Sequence, residues 1–335
     1  MSAHSSNPVI FIVTHSNDNA SIRLVMDAVA ERGGAAYRFD TDCFPTEIRL
    51  TIEYSKTRER LLLQGDNYEL DLDSVSALWY RRIAMGYRIP RSMDAQLRKA
   101  SVGESRATVH GMIASLEAFH LDPVYRLRRA ENKQLQLKVA RELGIETPRT
   151  LITNEPEAVR HFARECPNGM VMKMLSSFAI YEESEEKVVF TNPVQSHDLD
   201  HLEQLRYCPA TFQELIPKAL ELRVTVVGDR VFTASIDSQK SDKSSIDWRR
   251  DGMGLIEDWE PCTLPPEVEE KLLRLMHFFR LNYGAADFIV TPDGRHIFLE
   301  VNPVGEFFWL ELKNPKYPIS RAIAERLIAG RSVWD

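Results

Sequence analysis

The residues best suited to chemistry lie in one predicted hairpin near the end of the chain. Glu300 and Asn302 alternate along an apolar strand, so their side chains share one face. Asp287 lies on the preceding apolar strand, across a Pro292–Gly294 turn. Two carboxylates and an amide are oxygen ligands that suit Mg²⁺ bridged to nucleotide phosphates, and adjacent carboxylates repel unless a cation separates them. The hairpin alone leaves two alternatives open: a metal site, or a sheet surface with ordinary salt bridges.

Basic side chains elsewhere in the sequence fit a nucleotide. Lys173 lies in an apolar strand, where a lysine needs an anionic partner, either a phosphate or a nearby glutamate. Lys133 begins an amphipathic helix and taken alone is an ordinary exposed lysine. Arg223 alternates with apolar neighbours, so it either clamps a transferring phosphate or faces solvent. The sequence has no Walker A pattern and no GxGxxG, which excludes a P-loop or Rossmann mode of ATP binding.

Length and composition describe an ordinary globular protein. The 335 residues predict two or three packed units. A net charge of −7 without basic stripes argues against nucleic-acid binding. Because no apolar run reaches the length of a membrane span and the N-terminus does not resemble a signal peptide, we expect no membrane association and a cytoplasmic location. The four cysteines are too scattered for a zinc site or a disulfide framework.

Hydrophobic periodicity predicts an α/β fold in three parts. A β-α-β opening from Val9 to Phe39 indicates an α/β domain. An amphipathic helix over Asn132–Leu143, with Gly144 at its C-terminal end, begins a second unit that includes a helix over Ser196–Leu205. Strands then dominate, starting with Ala210–Glu214. The predicted domains are residues 1–125, 126–212 and 213–335.

Taken in order, these residues resemble the ATP-grasp superfamily and, more narrowly, the microviridin-type macrocyclases, also called graspetide synthetases. The resemblance runs from about Val9 to Leu327. The segments that resemble ATP-grasp proteins generally are Lys133, Leu143–Pro148, Lys173, Gln213–Ile216, Glu221–Arg223, Asp287 and Glu300–Asn302. The segments that resemble the macrocyclases are Phe39–Asp42, Trp79–Arg82, Asp247–Arg250, Val301–Glu306 and Tyr317–Ser320.

The resemblance implies a three-part ATP-grasp fold with ATP between the central and C-terminal domains. It assigns magnesium to Asp287, Glu300 and Asn302, and catalytic roles to Arg223 and Lys173, with Arg223 stabilising charge on the transferring phosphoryl group. The residues assigned to the nucleotide are Lys133 and Lys173 for the phosphates, Gln213, Glu214, Leu215 and Ile216 for the adenine segment, and Glu221 for the ribose.

The resemblance also implies a reaction and a peptide partner. Such enzymes phosphorylate Asp or Glu side chains of a ribosomal precursor peptide, after which a Thr or Ser hydroxyl closes an ω-ester (lactone) ring. Met112–Leu116, Phe119–Pro123 and Glu306–Glu311 resemble the ester-forming branch more than the amide-forming one. We expect a homodimer. The residues expected to meet the peptide are Asp198 and His201 for its helical leader, and Arg81, Arg82, Arg249 and Arg250 for its acidic core.

Several alternatives stay open at this point. Asp198 suits a helix N-terminus for electrostatic reasons alone, and each arginine pair suits a solvated surface. The chain could instead be a lactam-forming or amino-acid-adding ATP-grasp ligase, or a non-catalytic, nucleotide-regulated peptide-binding protein. One departure from the superfamily concerns the phosphate lid, because Ser176–Glu186 contains no glycine. We therefore expect a lid that works differently or is ordered by the peptide.

Overall fold

A computed structural model describes residues 7–174, 179–182, 185–188, 191–238 and 258–334 of the chain. The strands are β1 Val9–Thr14, β2 Ala35–Asp40, β3 Arg49–Tyr54, β4 Glu59–Gln64, β5 Glu69–Asp71, β6 Ala77–Tyr80, β7 Phe119–His120, β8 Thr150–Thr153, β9 Met170–Lys173, β10 Ala179–Glu182, β11 Glu185–Val188, β12 Asn192–Pro193, β13 Ala210–Glu214, β14 Leu220–Val227, β15 Arg230–Ile236, β16 Glu260–Cys262, β17 Tyr283–Val290 and β18 His296–Asn302. The α-helices are α1 Ser21–Ala30, α2 Ala95–Ser115, α3 Val124–Ala130, α4 Lys133–Glu142, α5 Pro156–Arg164, α6 Pro266–Phe279, α7 Phe308–Lys313 and α8 Ile319–Ala329. Short 3₁₀ helices span Thr41–Cys43, Leu72–Ser74 and Ser196–Tyr207.

The N-terminal part is built on a parallel sheet in the order β2-β1-β6-β7. Strand β1 is apolar throughout and its central residues are fully buried, as expected for a parallel strand covered on both faces. Helix α1 packs Ile22, Val25 and Val29 into the same core as β1. The predicted β-α-β opening is confirmed. A separate antiparallel sheet, β3-β4-β5, follows it.

The central part is a small antiparallel sheet in the order β12-β9-β13-β8, with helix α5 and the helix at Ser196–Tyr207 sharing its core. The predicted helix at Ser196–Leu205 is confirmed as a 3₁₀ helix over Ser196–Tyr207, with a kink at His201. Strands β10 and β11 pair antiparallel with each other.

The C-terminal part is a five-stranded antiparallel sheet in the order β16-β15-β14-β17-β18. The predicted turn at Pro292–Gly294 connects antiparallel strands β17 and β18, and Gly228–Asp229 likewise connects β14 and β15; Gly228 and Gly294 have positive φ angles. Strand β13 pairs with β8 and β9, so a division after residue 212 would cut a strand of the central sheet. The domain boundaries themselves remain a prediction.

Contacts between the first and last parts of the chain join them into one core. Helix α8 packs on α1, and their apolar residues belong to one cluster. The carboxylate of Asp122, just after β7, accepts hydrogen bonds from the backbone N–H groups of Asn282 (2.7 Å) and Tyr283 (3.0 Å) at the start of β17. Burial raises the pKa of Asp122 well above its usual value, against the effect of these donors. The parallel sheet is thereby fixed to the strand that carries Asp287.

Candidate active site

Three charged side chains form a row across neighbouring strands of the C-terminal sheet. In register, Arg223 on β14 pairs with Asp287 on β17, which pairs in turn with Glu300 on β18. The Arg223 Nη1 atom lies 2.8 Å from Asp287 Oδ1. The residues alternating with Arg223 on β14, Leu222 and Val224, are buried on the opposite face. Alternation along β14 therefore places Leu222 and Val224 in the core on one face of the sheet and Arg223 in the charged row on the other.

A bulge in β18 shapes the same row. The register between β17 and β18 shifts between Asp287 and Phe288, so that Glu300 faces Asp287 while Phe298 faces Phe288. Leu299 is the extra residue, and it lines a cavity together with Glu300. Bulges of this kind re-aim side chains and are common beside active sites. Strict alternation along the strand predicted the shared face of Glu300 and Asn302 but not this one-residue shift.

Lys133 binds the carboxylate and the amide that were assigned to magnesium. Its Nζ atom lies 3.0 Å from Glu300 Oε2 and 3.1 Å from Asn302 Oδ1, and the Asn302 amide donates to Glu300 Oε1 at 3.1 Å. The ammonium of Lys133 thus lies between these oxygens, and their assignment to magnesium remains a prediction. Within the described ranges no cluster of three or more His, Cys, Asp or Glu is placed to hold a metal. The predicted set contains only two such side chains plus an amide, a donor set that suits Mg²⁺ with other ligands from phosphates and water.

A cavity lies between the central and C-terminal sheets and contains most of the residues predicted for the nucleotide. Its volume is about 660 Å³, including solvent at its mouth. A smaller adjoining cavity of about 350 Å³ shares part of its wall, including Lys173 and Glu300, and is lined by Lys133 as well. The predicted residues that line the larger cavity are Lys173, Gln213, Glu214, Leu215, Ile216, Glu221, Asp287 and Glu300.

The connection from β13 to β14 forms one wall of the cavity. The buried Gln213 donates to Thr150 Oγ1 (3.0 Å), and Glu214 accepts from the backbone N–H of Arg149 (2.8 Å). The backbone N–H of Leu215 donates to the carbonyl of Gly169. The N–H of Ile216 has no acceptor among the residues that the structure describes. Of the two backbone groups predicted to meet adenine, that of Ile216 is the one available to do so.

Lys218 is a cavity residue that sequence reasoning missed. Its side chain is 5% exposed, and Nζ lies 2.9 Å from the Oε1 atom of Glu221, the residue predicted for the ribose. A lysine this deeply buried needs an anion beside it, and Glu221 supplies one. The signal available in the sequence was its place directly after the Gln213–Pro217 segment, between two strands.

Hydrogen bonds from three side chains, those of Arg223, Tyr283 and Arg81, fix the turn after β18. The N–H of Gly305 donates to the Asn302 carbonyl (3.2 Å), which closes the turn. Arg223 Nη2 donates to the carbonyl of Glu306 (3.0 Å), and the hydroxyl of Tyr283 donates to the carbonyl of Gly305 (2.7 Å). Burial raises the pKa of Tyr283 to about 12, so this hydroxyl keeps its proton. The third side chain that donates hydrogen bonds to this turn is Arg81.

The structure places the two arginines predicted to attract the peptide in different surroundings. Arg81 is 1% exposed, and its Nη1 donates to the carbonyls of Val304 and Gly305, each at 3.1 Å. The expectation of a surface position is therefore wrong for Arg81, because protein acceptors surround it. Arg82 is about one-third exposed and pairs with Glu306, whose carboxylate also accepts from Arg81 (3.1 Å) and from Asn19. Arg82 is thus the member of the pair that a peptide can reach.

Asp18, in the N-terminal part, places a negative charge beside Arg81 and Arg82. Its side chain is fully buried, and its carboxylate oxygens lie 3.6 Å from Arg81 Nε and 3.6 Å from Arg82 Nη1. Burial raises the pKa of Asp18, but Arg81, the Thr14 hydroxyl and Arg82 outweigh it, so the pKa lies below its usual value. Burial and repulsion from Arg81 lower the pKa of Arg82.

The residues predicted for the leader lie on the 3₁₀ helix of the central part. Asp198 is exposed, and its Oδ2 accepts from the backbone N–H of Gln195 (2.7 Å) in a capping box. His201, also exposed, is at the kink. The other carboxylate oxygen, Oδ1, lies 3.4 Å from His197 Nε2, and the role of Asp198 toward a leader remains a prediction. Arg249 and Arg250 lie outside the described residues.

Gly305 is expected to tolerate no side chain. A Cβ atom there would lie 2.5 Å from the Cβ of Ala285 and 3.1 Å from Arg223 Nη2. We expect Gly305→Ala to lower the free energy of unfolding by about 1–3 kcal/mol, since overpacking a closely filled site forces shifts of this cost. Thermal and urea unfolding measure the change.

Gly103→Ala is the matched control, because Gly103 is exposed on α2 and a Cβ there meets nothing within 4 Å. Alanine stabilises an exposed helix by up to about 1 kcal/mol relative to glycine, so this variant should be as stable as the parent or more stable. Equal stability of the two variants would contradict the packing described for the turn.

Comparison with known proteins identifies the class of protein that this fold and site define. Residues 9–128 match the family model described as the MvdD pre-ATP grasp domain. The macrocyclase MdnC from Microcystis aeruginosa, solved with the precursor peptide MdnA, is 51% identical, with 96% of this chain and 99% of that chain covered and a TM-score of 0.87. A comparison with curated proteins found no match.

Two further solved structures agree with this. A Chryseobacterium gregarium RiPP-associated ATP-grasp ligase, in complex with ADP and a leader and core peptide, is 38% identical, with 98% of each chain covered and a TM-score of 0.93. The macrocyclase MdnB from Microcystis aeruginosa is 36% identical, with 96% of this chain and 100% of that chain covered and a TM-score of 0.81. The fold is therefore that of an ATP-grasp ligase. Within that class, the chain belongs to the microviridin-type macrocyclases.

Proposed function

We propose that this enzyme uses ATP and Mg²⁺ to close ω-ester rings in a ribosomal precursor peptide, joining Asp or Glu side chains to Thr or Ser hydroxyls. The observation that carries the proposal is the row of Arg223, Asp287 and Glu300 beside a cavity lined by Lys173. This row puts cations and carboxylates beside a cavity whose lining contains most of the residues predicted for the nucleotide. The similarity to MdnC, a macrocyclase solved with its precursor peptide, supports the choice of substrate.

The chain's own residues supply position and charge in the proposed reaction. Ile216 and Glu214 hold the adenine, and Glu221, with Lys218 beside it, meets the ribose. Lys173 binds the phosphates. Arg223 stabilises charge on the phosphoryl group as it moves to the peptide carboxylate. The acyl phosphate so formed has a good leaving group, which the peptide hydroxyl displaces as the ring closes.

Magnesium fits the oxygens of Asp287, Glu300 and Asn302, where it would supply charge neutralisation to the β- and γ-phosphates. Lys133 now binds Glu300 and Asn302, so these oxygens would exchange a lysine partner for the metal. The released ammonium is then free to bind a phosphate, as predicted for Lys133. One lysine thereby keeps the carboxylate balanced before the nucleotide arrives and binds the nucleotide afterwards.

The experiment that tests the proposal is incubation of the purified chain with ATP, Mg²⁺ and a precursor peptide with a helical leader and an acidic core containing Thr and Ser. We expect ADP release that depends on the peptide, and loss of one water per ring in the peptide mass. Mild alkali should then restore the water, because esters hydrolyse under conditions that leave amides intact. Failure to release ADP with such peptides would overturn the proposal.

Two outcomes of the same experiment would favour the alternatives. Water loss that resists alkali would indicate a lactam-forming ligase, and a gain in mass equal to an added amino acid would indicate an amino-acid-adding ligase. Peptide and nucleotide binding without ADP release would indicate a non-catalytic binding protein. The Arg223–Asp287–Glu300 row, complete and beside the cavity, favours the catalytic reading.

Leader recognition by Asp198 is tested by a change that keeps its capping function. Asp198→Asn retains an oxygen that can accept from the Gln195 N–H but removes the charge proposed to pair with a leader arginine. We expect leader affinity to fall by about 5- to 30-fold, since charge-assisted hydrogen bonds contribute about 1–2 kcal/mol. Binding of a labelled leader peptide measures the change.

Asp200→Asn is the control for Asp198, because Asp200 is an exposed acid on the same 3₁₀ helix. It should leave leader affinity unchanged, and both variants should bind ATP as the parent does. Equal leader affinity in all three proteins would refute the role of Asp198.

Homodimer formation and a cytoplasmic location stay predictions from the sequence. Within its described part, the chain has no helix of the length and apolarity that a membrane span requires.

A further inference from the structure

Arg81, in the N-terminal part of the chain, binds the turn after β18 of the C-terminal sheet but is absent from the described lining of the nucleotide cavity. The guanidinium of Arg81 lies at the carboxyl end of β6 and packs over the Trp79 ring at 5.3 Å. Its side chain is fully buried, so it is shielded from any peptide in solution. A buried guanidinium is costly unless its donors are matched, and here they are matched mainly by one turn of the chain.

That turn directly follows Asn302, and all of Arg81's closest acceptors belong to it. Nη1 donates to the carbonyls of Val304 and Gly305, and Nη2 lies 3.1 Å from the Glu306 carboxylate. The carbonyl of Glu306 accepts in turn from Arg223 Nη2 at 3.0 Å. The turn therefore connects Arg81 to Arg223, whose Nη1 binds Asp287.

We propose that Arg81 is a positioning residue that holds the turn from Asn302 to Glu306, and through it Arg223, in the arrangement needed for phosphoryl transfer. This inference rests on the proposed function, in which Arg223 stabilises the transferring group. The planar fork of an arginine binds several acceptors at once, which a lysine ammonium at the same place does not reproduce. A small misplacement of a catalytic group costs up to about 100-fold in rate.

Arg81→Lys is the first test. We expect kcat for peptide-dependent ADP release to fall by about 10- to 100-fold. The KM for ATP should stay within about twofold, because residues 303–306 are absent from the described lining of the nucleotide cavity. In the double variant with Arg223→Lys, the change at Arg81 should cost little more, because its effect passes through Arg223. Effects that multiply, or an unchanged kcat in the single variant, would overturn the proposal.

Arg38→Lys is the matched control. Arg38 lies on the same parallel sheet and also binds two carbonyls, those of His15 and Ser16, together with the Asp40 carboxylate. It does not contact the Asn302–Glu306 turn in the described structure. This variant should keep the parent kcat. A loss equal to that of Arg81→Lys would show a merely structural effect of arginine replacement and overturn the inference.

Tyr283→Phe provides a second variant if Arg81→Lys does not fold. It removes only the hydroxyl that donates to the Gly305 carbonyl and leaves the ring in the core. We expect kcat to fall by about 3- to 10-fold with the KM for ATP unchanged, since one hydrogen bond to the turn is lost. An unchanged kcat here would likewise count against the turn as the connecting element.

Hydrogen exchange separates this inference from the proposed function. In nucleotide-free protein, the amides of residues 304–307 should exchange faster in Arg81→Lys than in Arg38→Lys, whether or not any peptide is turned over. If the parent chain shows no turnover, the proposed function has failed, and exchange still decides whether Arg81 holds the turn. Parent-like exchange in Arg81→Lys would overturn the positioning role directly.

Discussion

Changing Glu300 to glutamine and Asn302 to alanine together is expected to abolish peptide-dependent ADP release while the chain stays folded. The double change removes one carboxylate and the amide oxygen from the face that Lys133 now occupies. A metal contributes several kcal/mol of charge stabilisation to phosphoryl transfer, so the rate should fall by at least about 1,000-fold. Coupled ADP detection and peptide mass measure the effect, and thermal unfolding checks the fold.

The control for this pair is Asp293→Asn, an exposed acid in the turn at the other end of the same hairpin, paired with Arg295. It should release ADP at the parent rate. Magnesium titration of nucleotide binding gives an independent readout, because only the double variant should lose the metal-dependent part of its affinity. Dehydration of the peptide by the double variant at a rate near that of the parent would show that the metal assignment is wrong.

Replacing Arg223 with lysine is expected to lower kcat by about 100-fold and leave ATP affinity nearly unchanged. A lysine can keep the ion pair with Asp287, but it cannot also donate to the Glu306 carbonyl as the guanidinium does. Loss of one preorganised donor aimed at developing charge typically costs about 10²–10³ in kcat. Single-turnover measurements with saturating ATP and peptide isolate this step from nucleotide binding.

Arg230→Lys is the control on the neighbouring strand β15. Arg230 is about half exposed and pairs with Glu325 at 2.6 Å. Exposed ion pairs of this kind contribute little to stability, so the variant should match the parent in kcat and in unfolding temperature. If Arg223→Lys raised the KM for ATP while kcat stayed constant, Arg223 would be a binding residue and its assigned role would be refuted.

Much of the fold was predictable because its signals are local. The apolar run of β1 and the glycines at the hairpin turns each fix a short element without reference to the rest of the chain. The helix at Ser196–Tyr207 was predicted, but its 3₁₀ type and its kink at His201 were not, because these depend on backbone geometry and not on hydrophobic spacing. Helix α3 was not predicted either. It spans only seven residues, too few to display helical periodicity.

The site was predictable in its residue types but not in its pairings. The acids of the β17–β18 hairpin were exceptions in apolar strands, which drew attention to them. Their partners come from distant segments: Lys133 from α4 and Arg223 from β14. The surroundings of Arg81 were beyond sequence reasoning, because an Arg-Arg pair resembles a surface patch until the fold places its first member in the core.

The hydrogen bonds of Arg81 to the turn after β18 affect the order in which parts of the protein fold during its synthesis. Its contacts with the turn join residues as far as 225 positions apart in the chain. Contacts of such long range close only after most of the polypeptide exists, and they form late because a large loop must be closed first. The parallel sheet shares its core with helix α8, so the N-terminal part completes its packing only when the C-terminal part is present. In the proposed function, Arg223 and the turn beside it also lie in the C-terminal part. We therefore expect the chain to gain its activity late in synthesis, when its two ends meet.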